Sequence, residues 1–465
     1  MLEILKIDAG NTGCSVLLLP SLILLTLVLT APVSAQETMF RYDAGHTGDY
    51  SQVAGVTETN VSLLWSISME SYRGGIWTTP AIFNGTLYIS NIDGTLCALD
   101  ATTGQYRWNS SVQVYYDTSP AAANDILYVG SADGNVYSLD AATGKTIWSY
   151  RTSGPIYSSP TLANGTIYIV SNDGRYLVPD ATLFALNATT GKKIWNFTIG
   201  GHSDTSPAVA HDIVYIGSED GTIYALDADT GIKIWSASAG ETVSTSPLVK
   251  NGIVYIESNV GNNVDTALAS NVYAFNTTTG NQIWNFTTRG RLGSDPALAR
   301  GILYLSGNSL YALNATTGAQ IWNASAASAS PIVANGVLYY ADFNVYAIDA
   351  ETGTKICLWS FPMDLGGGGF GGSVVVENSV LYGNVVYEQV APGGHVYDKI
   401  KIFALDLNAG TNRTSFPSLI PATTGNPPDS HANYSTLTTI LIVTLGIILL
   451  VIVSSLLIHI GKNQN

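Results

Sequence analysis

Three residues before a recurring proline, the chain carries Trp77, Asp117, Tyr157, Asp204 and Ser244. Tyr116, His202 and Asp295 stand in or beside the same stretches. Carboxylates, aromatic rings and an imidazole gathered at one opening would suit a small ligand or a peptide. Solvated strand ends are the plainer reading of the same residues. Other chemistry is sparse. His202 and His395 are isolated histidines and define no ligand set. The glycine run 366–369 lacks a phosphate-loop pattern, and no helix follows it. No CxxCH haem motif and no metal-ligand cluster is written in the sequence. Of the three cysteines, Cys14 lies near the start, and Cys97 and Cys357 are expected as separate buried thiols rather than a disulfide. The sequence therefore assigns no catalytic, cofactor-binding or metal-binding residue.

The elements that must position these side chains are written as a repeated phrase. YALDADTGIKIW ends at Trp235, and close variants end at Trp108, Trp148, Trp195, Trp284 and Trp322. YAIDAETGTKICLW ends at Trp359, and FALDLNAG stops at Gly410 without a tryptophan. The tryptophans recur every 37 to 49 residues, which is the mark of a repeat architecture. Within 204–235, DTSPAVA, IVYIGS, TIYALD and IKIW are short β segments divided by HD, EDG and ADTG turns. Each unit is a four-stranded antiparallel meander, A to D, with two apolar faces that it cannot bury alone. Copies stacked about an axis bury them, giving a β-propeller. A-B-C sets begin near Thr78, Thr118, Ser158, Asp204, Ser244, Gly293, Ser328 and Gly372. The last lacks its D strand, and VSLLWSIS (61–68), with Trp65, can supply it. The expected fold is all-β: an eight-bladed propeller over 61–411, closed by 61–68.

The phrase A-x-D-x-x-T-G-x-x-x-W resembles the tryptophan-docking motif of PQQ-type propeller repeats. It stands complete as Ala98, Asp100, Thr103, Gly104 and Trp108, and again as Ala225, Asp227, Thr230, Gly231 and Trp235. The resemblance implies that Trp65, Trp108, Trp148, Trp195, Trp235, Trp284, Trp322 and Trp359 pack between blades. In the seventh copy Cys357 holds the tryptophan register and Trp359 follows two residues later. FRYDAGHTG (40–48) also resembles the lead-in of secreted proteins of this type. Some members of the family are quinoprotein dehydrogenases that bind PQQ and calcium and carry an adjacent Cys-Cys pair. Others are scaffolds without a quinone. This chain has no adjacent cysteines and no evident acidic calcium set, so a non-enzyme without cofactor is expected. PQQ with calcium belongs to the alternative, an oxidoreductase; a purely structural envelope protein is the other.

The ends suggest an address. Residues 1–35 read as a signal peptide, with an apolar run from Val16 to Leu29 and APVSA before a cleavage after Ala35. An uncleaved anchor is the alternative. Residues 36–60 form a lead-in and 412–436 a stalk rich in Pro, Thr, Ser and Asn. Residues 437–460 carry no Asp, Glu, Lys or Arg and are long enough for a transmembrane helix, leaving 461–465 as a cytoplasmic tail. The expected product is a cell-surface, single-pass membrane protein. Sequons at Asn60, Asn84, Asn109, Asn164, Asn187, Asn196, Asn276, Asn285, Asn314, Asn323, Asn412 and Asn433 suit that address, and are also what duplication of an Asn- and Thr-rich repeat generates. A net charge of −15 with no basic stripe argues against nucleic acid.

In a meander, A–B and C–D turns share one face of the disc, and B–C loops and D–A connections share the other. The inserts at 175–182, 261–270, 364–372 and 387–399 all fall on the second face. Loops on a rigid scaffold are where recognition is usually built. The expected function is a protein- or ligand-binding scaffold whose partner, a protein or an envelope component, docks on that face.

Overall fold

A computed structural model describes residues 37–38, 41, 43–50, 61–71, 79–90, 94–114, 118–172, 180–243, 245–260, 269–325, 329–341, 344–360, 369–370, 373–390 and 396–407. The fourth repeat shows how each unit folds. Its strands are A (Ala208–Ala210), B (Ile213–Gly217), C (Thr222–Asp227) and D (Lys233–Ser238). His211 and Asp212 turn A into B with φ of 51° and 59°, the left-handed pair that a two-residue hairpin requires. Between C and D, Asp227 Oδ1 accepts from the Thr230 amide at 2.8 Å and its hydroxyl at 2.6 Å. This bonding accounts for the recurrent Asp or Asn and Thr of the phrase.

Eight such sheets are present, with strands in chain order from the axis outward. In the eighth, the outermost strand comes from the start of the chain. Ser62–Ser71 pairs antiparallel with the C strand, from Ser62 opposite Asp406 to Ser71 opposite Asp398. The ring is thus closed by joining the two ends of the repeat array, as the orphan Trp65 suggested.

The seams explain why tryptophan and glycine travel together. Trp195 of blade three lies on Gly231 of blade four, where an added Cβ would meet the indole at 2.6 Å. Its Nε1 donates to the Ala228 carbonyl at 2.9 Å. The same contact joins Trp65 to Gly104, Trp108 to Gly144, Trp148 to Gly191, Trp235 to Gly280, Trp284 to Gly318 and Trp322 to Gly353. Glycine is needed at these turns twice over: φ is near +70°, and a side chain would strike the ring. The seam between blades seven and eight departs. Cys357 stands opposite Ala347, the place that Trp195 takes opposite Ala185. Trp359 lies two residues on, opposite Val345, with its buried Nε1 unbonded.

On the outer strands a β-bulge precedes each docking tryptophan; in blade three the register shifts between Ala185 and Leu186, skipping Ile194. Bulged outer strands are poor templates for edge-to-edge pairing.

All four expected loops contain some strand. B and C of blade eight run Val380–Val390 and Val396–Asp406, so most of 387–399 is a hairpin extension. Gly369–Phe370 adds a strand beside it, opposite Val386 and Tyr387. Alternating, β-branched sequence favours continuing the pairing over leaving backbone groups unpaired. Blade five is extended in the same way, with Val260 opposite Ala269 and Thr242–Val243 paired alongside. No helix among the described residues is long and apolar enough to cross a membrane. The signal, stalk and transmembrane expectations (1–35, 412–436 and 437–460) lie outside the described residues.

Candidate functional site

The innermost strands of a propeller line a channel, and each presents an unpaired edge. Here the lead-in covers those edges. The amides of Val209, Val249, Leu298 and Val333 donate to the carbonyls of Ala44, Gly45, Thr47 and Gly48 at 2.6–3.0 Å. Each donor stands two residues after the recurring proline, in blades four, five, six and seven. Tyr50 returns a bond to the Val333 carbonyl, and Glu37–Thr38 pairs with Ala122–Ala123 of blade two. A segment this short touches so many inner strands only by running through the channel.

The sequence of the plug follows from its task. Asp43 accepts from the amide and hydroxyl of Thr47 at 3.0 and 2.7 Å, curling the segment. A Cβ on Gly45 would fall 2.5 Å from the Val249 carbonyl oxygen, so close backbone approach requires glycine there. His46 is buried. Its Nδ1 lies 3.2 Å from the Pro247 carbonyl, which can only accept, so the neutral ring carries its proton there. Its Nε2 is 3.1 Å from Thr161 Oγ1 of blade three. Burial pushes the His46 pKa down to about 3. Lys250 and Asp49 form an ion pair of 3.1 Å at the far end.

Around the plug runs a belt of hydrogen bonds made by the residue before each proline. Thr79, Ser119, Ser159 and Ser206 each donate their amide to the serine hydroxyl of the next blade at 2.9–3.0 Å. Ser246 donates to Asp295 Oδ1 at 3.0 Å, and the Asp295 amide donates to Ser330 Oγ at 3.2 Å. Asp295 is thus the one carboxylate in a hydroxyl register. The plug supplies its counter-charge: Arg41, 1% exposed, donates to the Pro296 carbonyl and lies within the fields of Asp295 and Glu257. Glu257, on strand B of blade five, is 2% exposed and neither of its oxygens has a hydrogen-bond partner. Burial, with Asp295 nearby, pushes its carboxyl well above the usual carboxylate range. Asp295 is also pushed up by enclosure, against the pull of Arg41.

A second cluster lies on the B–C and D–A face, between blades three and four. His202 Nδ1 is 3.4 Å from Glu219 Oε1, and Nε2 is 3.6 Å from Asp204 Oδ1. The Glu219 amide donates to the His202 carbonyl at 2.9 Å, tying the B–C turn to the D–A connection. Asn172 Nδ2 holds Asp204 at 3.1 Å, and the Tyr157 ring stands 6.3 Å from the imidazole. The hydrogen bond to Glu219 raises the His202 pKa against partial burial, and the same bond lowers that of Glu219. Ligand atoms of all three residues lie within 4.8 Å of one another. A tetrahedral metal would take one ring nitrogen at about 2.0–2.1 Å. Here the carboxylates face opposite nitrogens, so the cluster as folded is a carboxylate–imidazole–carboxylate bridge.

The structure therefore brings together Tyr157, His202 and Asp204 of the expected ligand face, and adds Glu219. It puts Asp295 elsewhere, in the channel beneath the plug. Trp77, Tyr116, Asp117 and Ser244 lie outside the described residues, as do the sequons Asn60, Asn412 and Asn433. Arg41, His46 and Glu257 were missed by the sequence reading. The signal for Arg41 and His46 was the FRYDAGHTG phrase itself; Glu257 lies outside it, on blade five.

Among solved structures, BamB from Moraxella catarrhalis is similar over 77% of this chain and 100% of its own, at 17% identity and a TM-score of 0.55. Quinohemoprotein alcohol dehydrogenase from Comamonas testosteroni is similar over 87% of this chain and 85% of its own, at 15% identity and a TM-score of 0.61. A europium-containing methanol dehydrogenase matches 79% of this chain and 97% of its own, at 14% identity and 0.59. At these identities the likeness is one of fold. No curated protein sequence matches the chain. A repeat-family model described as outer membrane protein assembly factor BamB matches residues 49–121, 115–182, 179–269 and 268–426, and with most of its length so covered, the chain belongs to this PQQ-like propeller family.

Proposed function

We propose that this propeller is a binding scaffold of the cell envelope, recognising a protein partner on its B–C and D–A face. One observation carries the reading: the chain's own residues 43–50 fill the channel. In a propeller the axial channel is the natural cavity for a cofactor. Arg41 there lies within the fields of Asp295 and Glu257. The residues present do not fit a planar quinone with a calcium ion, which supports a non-enzymatic role. Recognition then falls to the face, where blades five and eight are extended and Tyr157, Asp204 and Glu219 stand beside His202. Two part-exposed carboxylates and an aromatic ring suit a basic side chain of a partner. The signal at 1–35 and the apolar segment 437–460 would hold the disc outside the membrane on its stalk.

The test is in-cell photocrosslinking from Glu219, with Ile232 on the opposite face as the control position. One recurrent protein linked from Glu219 and not from Ile232 is the expected result. Links only to further copies of the chain, or equal links from both positions, would favour a structural coat. A bound quinone spectrum after adding PQQ and calcium, with alcohol oxidation, would overturn the non-enzymatic reading.

A further inference from the structure

We infer that Asn196, Asn285 and Asn323 are N-glycosylated, and that each sugar covers the isoleucine two residues before it on the rim. The inference rests on the extracellular placement proposed above. Ile194, Ile283 and Ile321 are 48%, 45% and 47% exposed, although each sits beside a buried or half-buried tryptophan. They are the residues skipped by the outer-strand bulges. A single exposed isoleucine needs no explanation. An isoleucine recurring at one bulge, followed in these three blades by W-N-x-S/T, is a paired arrangement. Each asparagine is exposed, and so is the hydroxyl residue of its sequon: Thr198, Thr287 and Ser325.

Hydrogen bonding separates these sequons from those on the A–B turns, and exposure separates them from those on the C–D turns. Asn196 Oδ1 accepts from Lys193 Nζ at 3.0 Å, and Asn285 Oδ1 from Gln282 Nε2 at 3.2 Å. Both bonds use the oxygen rather than Nδ2, the atom that would carry sugar, on exposed residues. In the A–B turns the reverse holds. Asn84 Nδ2 donates across the seam to Asp125 at 3.0 Å, and Asn164 Nδ2 to Asp212 at 3.3 Å, both with φ near +50°. In the C–D turns, Asn187, Asn276 and Asn314 are half-buried, with Oδ1 bonded to the turn threonines. The donor would be a lipid-linked, phosphate-activated sugar. Nδ2 forms the bond to the anomeric carbon as that carbon's bond to phosphate oxygen breaks. The lipid phosphate departs, and the amide proton passes to the transferring enzyme. The ring carbons of the first sugar then lie over the isoleucine side chain, and the glycan screens the outer strand edge.

Glycopeptide mapping of the full chain from the cells that make it tests this, with protease accessibility on intact cells measured in parallel. Sugar on Asn196, Asn285 and Asn323 is expected. The triple variant N196Q/N285Q/N323Q should lose three glycan masses, keep its β-sheet circular dichroism, and bind more of an apolar-surface dye than the glycosylated protein. Sugar confined to the turn sequons would overturn the inference, and so would equal dye binding by the two forms. Bare sequons on a protein that external protease cuts would overturn it and spare the extracellular reading. Bare sequons on a protein shielded from protease would sink both.

Discussion

His46 and His202 are the same side chain under opposite rules. His46 is enclosed by the channel, and burial forces its ring to stay neutral, with a pKa of about 3. His202 stands half-buried between Glu219 and Asp204, and its pKa rises. Enclosure governs the first and neighbouring charge the second. The contrast extends to the clusters around them. The channel cluster holds the plug to the ring, and its disruption should be felt by the whole fold. The face cluster ties two loops and should be felt locally.

The sharpest way to break this contrast is to remove the guanidinium. Arg41→Ala leaves Asp295 and Glu257 enclosed without a counter-charge and loosens the plug. Truncating one partner of a buried charged set costs about 3–5 kcal/mol, and chemical denaturation should show a loss of that size. His202→Ala, by the same measurement, should fall within about 1 kcal/mol of the parent. Equal losses would mean that the channel cluster is no more structural than the face.

Acid should attack the same region next most strongly. His46 has a lowered pKa in the fold, so its contribution is complete above the ordinary value of 6.5 and fades as pH falls toward about 3. By pH 3 about 4 kcal/mol would be gone, taking 1.36 kcal/mol per unit. His46→Asn should flatten acid denaturation in that window while starting from lower stability at pH 7. An unchanged acid limb in the variant would move the cause elsewhere.

Glu257 gives a smaller effect of opposite slope. Its raised carboxyl pKa means that stability is fullest below the ordinary value of 4.5 and declines as pH rises. Glu257→Gln keeps the shape without the charge, so it should remove that decline and stabilise by about 1 kcal/mol or more near pH 7. Destabilisation by the glutamine would show that the carboxylate is ionised and bound to Arg41.

Much of the fold was legible because each of its rules is repeated. The phrase shows Asp or Asn, Thr and Gly at a fixed spacing in seven copies, and the structure uses them as one turn. The tryptophan's partner glycine was visible as a conserved letter of the phrase, but not as its contact, because the pair spans two blades. The plug was not legible, because it occurs once and acts largely through carbonyls, which have no side-chain signature. Asp295 could have been found: it is the sole acid before a proline where the other blades place Ser or Thr. Glu219 is 17 positions from His202, and only the sharing of one face by D–A and B–C connections brings them together.

The least disruptive test sharpens the other side of the contrast. His202 has a raised pKa, so whatever stability it contributes is full below 6.5 and lost as pH climbs through the raised value. That is the reverse of His46, and it predicts that alkaline rather than acid conditions loosen the connection between blades three and four. Because the ring is part-exposed, the effect on global stability should stay under about 1 kcal/mol, so a local probe is needed. Imidazole NMR should show one histidine titrating above 6.5, and Glu219→Gln should bring it down, since the bond to Glu219 is the largest cause of its rise. Amide exchange at Glu219, whose N–H donates to the His202 carbonyl, should quicken as that histidine loses its proton, beyond the general rise of exchange with pH. If His202 instead titrates below 6.5, partial burial outweighs its carboxylates. The two histidines would then obey one rule.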